Sequence, residues 1–352
     1  MVAWGFSGPT YNLADGLKRK LDAEHVQQAM KNFIKKILRP YGLKLLKKLP
    51  SAFSMSVNVD SIEDHMFGYI REVMCVLEND PGVVTRRDAI TGLRQLSLDD
   101  FGLVILSMPD PGYPKLSRLL PSMASDEVQR SWTGNHGVAL LKETTAFVRA
   151  LSYNYTRVTG RQLDNATVLD FGCGYGRIAQ LLYYFTAEEK IFGVDPWEQS
   201  IELCLRAGLS TNFAVSEYLP TTLPVGETKF DLIYAFSVYT HLSRRAMIAS
   251  LNTLRKYIAD DGLLAMTIRP VENWEHDPHT SPEQKVALAV RHHEEGFAFN
   301  PHNRAPIDGD VTYGDSSMTL DWIAATFTDW TIKATDRCIS DRLQRYVFLA
   351  PH

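Results

Sequence analysis

Several features that would place a chain in a specialised protein class are scarce or missing here. The four cysteines show no Cys-x-x-Cys spacing, so we expect neither a zinc ribbon nor a disulfide framework. No apolar run approaches the roughly 18 residues of a membrane span, and the first residues lack the basic-then-apolar pattern of a signal peptide. With 45% hydrophobic and 22% charged residues in 352, we expect a globular cytoplasmic protein, long enough for two domains.

Acidic residues are absent from one stretch near the N-terminus. Residues 25–59 hold seven Lys or Arg but no Asp or Glu, whereas the whole chain has a formal net charge of −4. Apolar residues recur there at helical spacing and predict a basic amphipathic helix near residues 25–49, interrupted at Pro40. Two interpretations stay open. The helix lies on an anionic membrane surface as a peripheral anchor, or its apolar face packs on its own domain or on a second copy in a homo-oligomer.

A strand, a glycine turn and the start of a helix follow one another near the middle of the chain. Residues 166–169 are apolar, Asp170 comes next, and glycines occupy positions 172, 174 and 176. Glycine lets the backbone approach a ligand closely, and open α/β sheets bind ligands at the carboxyl ends of their strands. A dinucleotide-binding loop would need its third glycine where Arg177 stands. The pattern Asp-x-Gly-x-Gly-x-Gly instead resembles motif I of the class I S-adenosylmethionine (SAM) methyltransferases.

Later segments resemble the same family in the same order. The apolar run 191–194 ends at Asp195, an acidic residue 19 positions after Gly176, which suits a ribose diol at the tip of a second strand. The resemblance extends from Trp132 to the C-terminus. The remaining segments that resemble the family's strands and turns are 230–236, 254–268 with the turn Asp261-Gly262, and the closing hairpin runs 330–334 and 345–350.

The resemblance implies both a fold and a cofactor. The fold is α/β, a Rossmann-like class I methyltransferase sheet of seven strands with the last one antiparallel, preceded by a mainly helical N-terminal accessory region. The cofactor is SAM, with S-adenosylhomocysteine (SAH) as the product. In the family, the motif I acid holds the SAM amino group, the glycine loop wraps the methionine part, and the second acid binds the ribose. Carried over, these roles fall on Asp170, on Gly172, Gly174 and Gly176, and on Asp195 with Pro196.

The adenine and the carboxylate of SAM need further partners. A third strand near residues 212–215 is followed by Ser216 and Glu217, where the family often has a polar side chain for the adenine amino group, and Phe236 closes the fourth strand as another contact. Trp132, Thr133 and Gly134 open a predicted helix that continues to about residue 158. Its first backbone N–H groups receive the SAM carboxylate, or the segment is a plain helix entry capped by a side chain. This segment also loosely resembles bacterial methyltransferases of surface-polysaccharide gene clusters.

A hydroxyl acceptor requires a base, and histidine is the usual one. His241 follows the fourth strand, near the expected position of the methyl group. His276 and His293 lie in a long insertion, residues 270–317, which we expect to form a lid over the acceptor. The insertion contains many carboxylates, yet we predict no metal, because Pro278 interrupts the His276–His279 pair on any helical face.

These observations predict two regions in the chain and an order of preference among its candidate functions. We expect an accessory region at residues 1–125 and a methyltransferase domain at 126–352. The favoured activity is O-methylation of a sugar or glycan hydroxyl by a SAM-dependent methyltransferase. The alternatives are methylation of a small metabolite, lipid or protein nitrogen, and a scaffold without catalysis. A nucleic acid partner is not expected, because the fourth strand lacks an Asn-Pro-Pro-Tyr-like motif and the chain beyond residue 59 is acidic.

Overall fold

The structure is a computed structural model, and it describes residues 61–352. The predicted basic helix at 25–49, with its membrane and oligomer roles, lies outside the described residues. The helices before the sheet are α1 (Ile62–His65), α2 (Gly68–Asn79), α3 (Arg86–Leu93), α4 (Leu98–Ser107), α5 (Pro114–Leu119), α6 (Asp126–Thr133) and α7 (Gly137–Thr159).

The remaining elements are strands and helices. In chain order they are β1 (Val168–Phe171), α8 (Arg177–Leu182), β2 (Ile191–Asp195), α9 (Glu198–Arg206), β3 (Phe213–Val215), β4 (Phe230–Ala235), α10 (Arg244–Tyr257), β5 (Ile258–Ile268), α11 (Asn273–His276), α12 (Pro282–Glu295), β6 (Phe297–Pro301), β7 (Gly314–Met318), α13 (Leu320–Thr326), β8 (Trp330–Asp336) and β9 (Arg345–Pro351). A short 3₁₀ helix at Glu188–Lys190 precedes β2.

Seven strands form the central sheet in the order β3-β2-β1-β4-β5-β9-β8. The pairs from β3 to β5 are parallel, whereas β9 runs antiparallel to both β5 and β8. Successive residues point to opposite faces, so Leu232 and Ile233 enter two different hydrophobic clusters. The predicted class I methyltransferase sheet with an antiparallel last strand is therefore confirmed.

The described N-terminal helices pack on one face of this sheet. On α4, Phe101 is fully buried, and a Cβ at Gly102 would lie 2.7 Å from Leu141 Cδ1 on α7. The same hydrophobic cluster includes residues of α2, α3, α7, α8 and β1. The helical region thus supports the strand and helix that carry the glycine loop. Its separation from the methyltransferase domain at residue 125 stays a prediction.

Local predictions differ from the structure at two places. The segment 131–158 is two helices, because Gly134 adopts a left-handed conformation (φ 79°) that ends α6 before α7 begins. The pair Asp261-Gly262, predicted as a turn, instead lies within β5, which starts directly after α10 and changes register against β4 between Phe230 and Leu232. Ile258 pairs with Phe230 and the next pair is Leu263 with Leu232, so Asp261 and Gly262 lie in a bulge between the paired positions.

The insertion at 270–317 is structured. It consists of α11, α12 and strands β6 and β7, which form a separate antiparallel pair. Trp274 is buried, and its indole N–H donates to Ser317 Oγ at 2.7 Å, which ties α11 to β7. Among residues 61–352, no helix is both long enough and apolar enough to cross a membrane.

Candidate active site

A cavity of about 640 Å³ lies at the carboxyl ends of β1 to β4. Residues from each of these strand ends contribute to its wall, as the position of ligand sites in open α/β sheets requires. Gly134, Gly176, His276 and His293 do not line the cavity. The sequence-predicted site residues that do line it are Trp132, Thr133, Asp170, Gly172, Gly174, Asp195, Pro196, Ser216, Glu217, Phe236 and His241.

The glycine loop after β1 needs its glycines for two different reasons. Gly172, Gly174 and Gly176 all have positive φ, which side chains rarely adopt. A Cβ at Gly172 would lie 2.4 Å from Val238 Cγ2, so this glycine allows the β1 loop to approach the β4 loop. A Cβ at Gly176 would lie 2.2 Å from Leu209 Cδ1, so Gly176 serves packing instead of lining the cavity.

Asp170 is a buried carboxyl at the cavity wall, with 2% of its surface exposed. Its pKa is raised to about 7, mainly by burial and also by the charge of Asp195, while the Tyr234 hydroxyl and Arg177 oppose the shift. A carboxyl in such an environment gains strongly from a cationic ligand, because the ligand offsets the cost of burying its charge.

Asp195 presents a carboxylate at the tip of β2. Its Oδ2 accepts a hydrogen bond from Gly174 N at 3.0 Å, and its Oδ1 accepts one from Trp197 N at 2.9 Å. Burial raises its pKa, and these two backbone bonds oppose the rise. Each oxygen keeps a lone pair, so the side chain can still accept from two vicinal hydroxyls. The bond to Gly174 also fixes the loop relative to β2.

The far end of the cavity is partly aromatic. Ser216, Glu217 and Tyr218 follow β3 and line it, and Ser216 N donates to Asp195 O at 3.0 Å. Trp132 stacks on Trp197 with ring centroids 4.7 Å apart and an interplanar angle of 21°. Sequence reasoning missed Trp197 and Tyr218, although each stands within two residues of a predicted contact.

The backbone N–H groups expected to receive the SAM carboxylate are already engaged. Gly134 N donates to Arg130 O at 2.9 Å, and Asn135 N donates to Thr133 Oγ1 at 3.3 Å. His136 N donates to Asn135 Oδ1, and Gly137 N donates to Gln129 Oε1, both at 3.0 Å. These four amides have acceptors within the protein, which fits the alternative of a helix entry held by side chains, and a role of this segment in binding SAM stays a prediction.

His241 lines the cavity just past β4. Its Nδ1 lies 2.9 Å from Gly314 O and 3.3 Å from Asp315 Oδ1. A carbonyl oxygen only accepts, so Nδ1 carries the hydrogen and Nε2 is the nitrogen that can take a proton. Arg269 Nη2 lies 3.4 Å from Nε2, and the ring stacks on Tyr313 at 5.3 Å.

Asp315 holds the groups around His241 together. Its Oδ2 lies 2.7 Å from His302 Nε2, and its Oδ1 pairs with Arg269. Burial would raise the pKa of Asp315, but hydrogen bonds from both histidines and the charge of Arg269 hold it well below its usual value. Sequence reasoning missed Arg269 and Asp315, which lie 28 and 74 positions from the histidine, since no local pattern links them.

The other two histidines predicted as bases lie elsewhere. His276 is exposed and contacts Arg342 Nη2 at 3.0 Å, and His293 is exposed on α12. The insertion instead contributes Arg304, Thr312 and Tyr313 to the cavity, so its predicted position over the acceptor has geometric support. Within residues 61–352, no group of three or more His, Cys, Asp or Glu side chains could hold a metal ion.

The residues of the cavity fit the three parts of SAM. The buried Asp170 carboxyl suits an ammonium, Asp195 suits a ribose diol, and the rings beyond β2 and β3 suit a purine. Among the described residues, an added Cβ at Gly174 would meet only the Trp132 ring, at 3.9 Å, so the loop leaves room for a ligand beside its backbone.

Comparison with known proteins agrees with this arrangement. A family model described as a methyltransferase domain matches residues 143–295, a segment that contains the glycine loop, Asp195 and His241. Among curated proteins, no sequence matches this chain.

Solved structures of low similarity match the sheet region. The PH0226 protein from Pyrococcus horikoshii OT3 is 16% identical (TM-score 0.41), over 59% of this chain and 91% of that one. Magnesium protoporphyrin IX methyltransferase (ChlM) from Synechocystis PCC 6803 with bound SAH is 14% identical (TM-score 0.40), over 64% and 94%. The glycopeptide N-methyltransferase MtfA complexed with sinefungin is 13% identical (TM-score 0.40), over 57% and 85%. These similarities are too low to carry conclusions about the acceptor.

Proposed function

We propose that this methyltransferase, an enzyme whose cofactor is SAM, methylates a hydroxyl group of a sugar or glycan, with His241 as the general base. The observation that carries the proposal is the fixed orientation of His241 at the cavity wall. Its Nδ1 is committed to Gly314 O and Asp315, which leaves Nε2 to take a proton. An amine acceptor that arrives neutral needs no such base, so this arrangement favours a hydroxyl.

SAM supplies a methyl group on a sulfonium, which is already activated toward a nucleophile. The protein therefore has to hold the hydroxyl in line with that methyl group and remove its proton. The backbone around His241 is well fixed for this task. His241 O accepts from Gly314 N at 2.9 Å, and Ser243 N donates to Thr312 O at 2.9 Å. These two bonds join the loop after β4 to the residues around the start of β7.

The residues of the insertion that line the cavity suit an acceptor that has both polar groups and an apolar face. Tyr313 presents an aromatic ring beside His241, and the guanidinium of Arg304 lies 4.2 Å from the centroid of that ring. Thr312 adds a hydroxyl to the same wall. Sugars combine hydroxyl groups with apolar C–H faces, so aromatic and hydrogen-bonding groups side by side suit them.

The first experiment identifies the acceptor. Purified protein is incubated with methyl-labelled SAM and fractionated cell extract, and the labelled product is isolated and analysed. We expect the label in an alkali-stable O-methyl ether of a carbohydrate. A labelled methylamine or methyl ester would overturn the proposed acceptor while leaving the methyltransferase activity intact.

The second experiment tests the base with that acceptor. His241→Ala should bind SAM normally but turn over about 10² to 10⁴ times more slowly, the usual contribution of general base catalysis. His279→Ala is the matched control, because His279 is exposed in the insertion at 270–317 and does not line the cavity. If His241 only supports its loop, the variant will instead lose melting temperature and keep near-normal turnover per folded molecule.

A further inference from the structure

The carboxylate of the cofactor has no partner among the residues assigned so far. Asp170 and Asp195 are acidic and would repel it. The amides of residues 134–137, expected to receive it, all donate to other acceptors. A carboxylate placed in a partly buried cavity without donors would be strongly unfavourable, so another cationic group is needed near the glycine loop.

Arg177 is such a group. It directly follows the glycine loop, lines the cavity and is partly buried. Its guanidinium lies over the Phe236 ring, 5.0 Å from the centroid, and donates one hydrogen bond to Thr144 Oγ1. Among residues 61–352, no carboxylate lies within ion-pair distance of it, and most of its five N–H donors have no recorded protein acceptor.

Within residues 61–352, the neighbourhood of Arg177 contains charges but no ion-pair partner. Its positive charge lowers the pKa of Asp170 and of Asp341, so both carboxyls lie within electrostatic range. Neither is close enough for a salt bridge. The stack on Phe236 and the bond to Thr144 hold the guanidinium beside the cavity, which lowers the entropy lost when it binds a ligand.

We infer that Arg177 binds the carboxylate of the cofactor, and that Arg177 and Asp170 together recognise the two charges of its amino-acid end. The guanidinium can donate two parallel hydrogen bonds to a carboxylate, which adds direction as well as attraction. Arg177, which stands where a dinucleotide-binding loop would have its third glycine, then serves to recognise the cofactor. This inference concerns cofactor binding and holds whatever the acceptor is.

The test compares two cofactor forms that differ only in the carboxylate. Calorimetric titration measures the affinities of SAM and of decarboxylated SAM for the wild type, Arg177→Gln and Arg177→Lys. We expect the wild type to prefer SAM by about tenfold to a hundredfold, the range for hydrogen bonds between charged groups. Arg177→Gln should lose this preference, and Arg177→Lys should keep part of it, since lysine retains the charge but not the planar pair of donors.

Arg244→Gln is the matched control. Arg244 also lies over an aromatic ring, Trp322, at 5.8 Å, but it is exposed and outside the cavity, so its variant should keep the wild-type preference. Equal affinity of the wild type for the two compounds overturns the inference without any variant. A preference for SAM that survives in Arg177→Gln also overturns it. If Arg177→Gln raises the KM for the acceptor and leaves SAM affinity unchanged, Arg177 binds the acceptor instead, and the inference is overturned.

Discussion

The two halves of the cavity are built in different ways. The cofactor half uses the tips of β1, β2 and β3, and its polar contacts come from short segments, as in the bond from Gly174 N to Asp195. The acceptor half depends on contacts between distant segments, as in the cluster of His241, Arg269, His302 and Asp315. A class of cofactor can therefore be read from local motifs, whereas the acceptor site depends on how an insertion folds back over β4.

The two halves also differ in electrostatics. In the cofactor half, mainly burial raises the pKa of Asp170 to about 7, so the ionised carboxylate is unfavourable until a cation binds beside it. In the acceptor half, hydrogen bonds from His241 and His302 and the charge of Arg269 outweigh burial and hold the pKa of Asp315 well below its usual value, so its ionised form is stabilised in advance. The first arrangement favours ligand binding at some expense of stability, and the second favours a fixed geometry. The following predictions test this contrast, from the largest expected effect to the smallest.

Asp170→Asn should make the free protein more stable at pH 8 and weaken SAM binding. In the unfolded chain the carboxyl has a pKa of about 4, so its stabilising effect is complete below that pH and is lost as the pH rises through about 7. A rise from about 4 to about 7 corresponds to ~4 kcal/mol at pH 8, as an upper value. Melting temperatures from pH 5 to 8, with and without SAH, measure this. A variant with the wild-type slope would show that Asp170 does not titrate as described.

Gly172→Ala should destabilise the protein by about 1–3 kcal/mol for the backbone strain alone, with a further loss from contact with Val238. The loops after β1 and β4 would separate, and this separation should lower the affinity for SAM. Gly134→Ala is the control, because Gly134 has nearly the same φ, 79° against 77°, but no atom of residues 61–352 lies within 4 Å of an added Cβ. Chemical denaturation of both variants separates the two causes. Equal losses would mean that contact with Val238 is unimportant.

Asp195→Ala should weaken SAM binding by about 1.5–3 kcal/mol, because the ribose hydroxyls lose a charged acceptor. The Gly174 amide also loses its bond, so part of the loss reflects a less ordered loop. Isothermal titration with SAM and SAH provides the measurement. Equal affinity in the variant and the wild type would remove Asp195 from the cofactor site.

Asp315→Asn should lower turnover by less than the roughly 10² to 10⁴ expected for removal of the base itself, and should leave SAM affinity unchanged. The amide would still occupy the same space, but it could no longer pair with Arg269 and orient His241. The readouts are kcat and KM for the acceptor across pH, together with SAM titration. A loss of SAM affinity equal to the loss of turnover would contradict the separation of the two halves.

Particular residues show how far sequence reasoning reaches. Asp170, Gly172 and Gly174 are predicted because a strand, a turn and a helix place them within a few residues of each other. Asp195 is predicted as the acid that ends the next strand, and all four line the cavity. The fold class followed from the order of such units and is confirmed by the sheet. Gly176 was assigned to the cofactor by the same pattern, yet its neighbours are Leu209 and Cys204, since a motif does not state which glycine faces a ligand.

The sequence by itself indicated the seven strands of the central sheet and the glycine turn, because these depend on hydrophobic periodicity and on backbone freedom over short distances. The arrangement of those strands in the sheet was expected from the family resemblance, and the strands of the insertion were not predicted. The sequence also placed His241 at the end of β4. Only the tertiary structure decided which histidine lies at the cavity, that the amides of residues 134–137 are engaged, and that Arg177 has no ion-pair partner among the described residues. Those properties depend on the packing of segments that are remote in the chain, and no local pattern specifies which distant side chain will satisfy a given donor or charge.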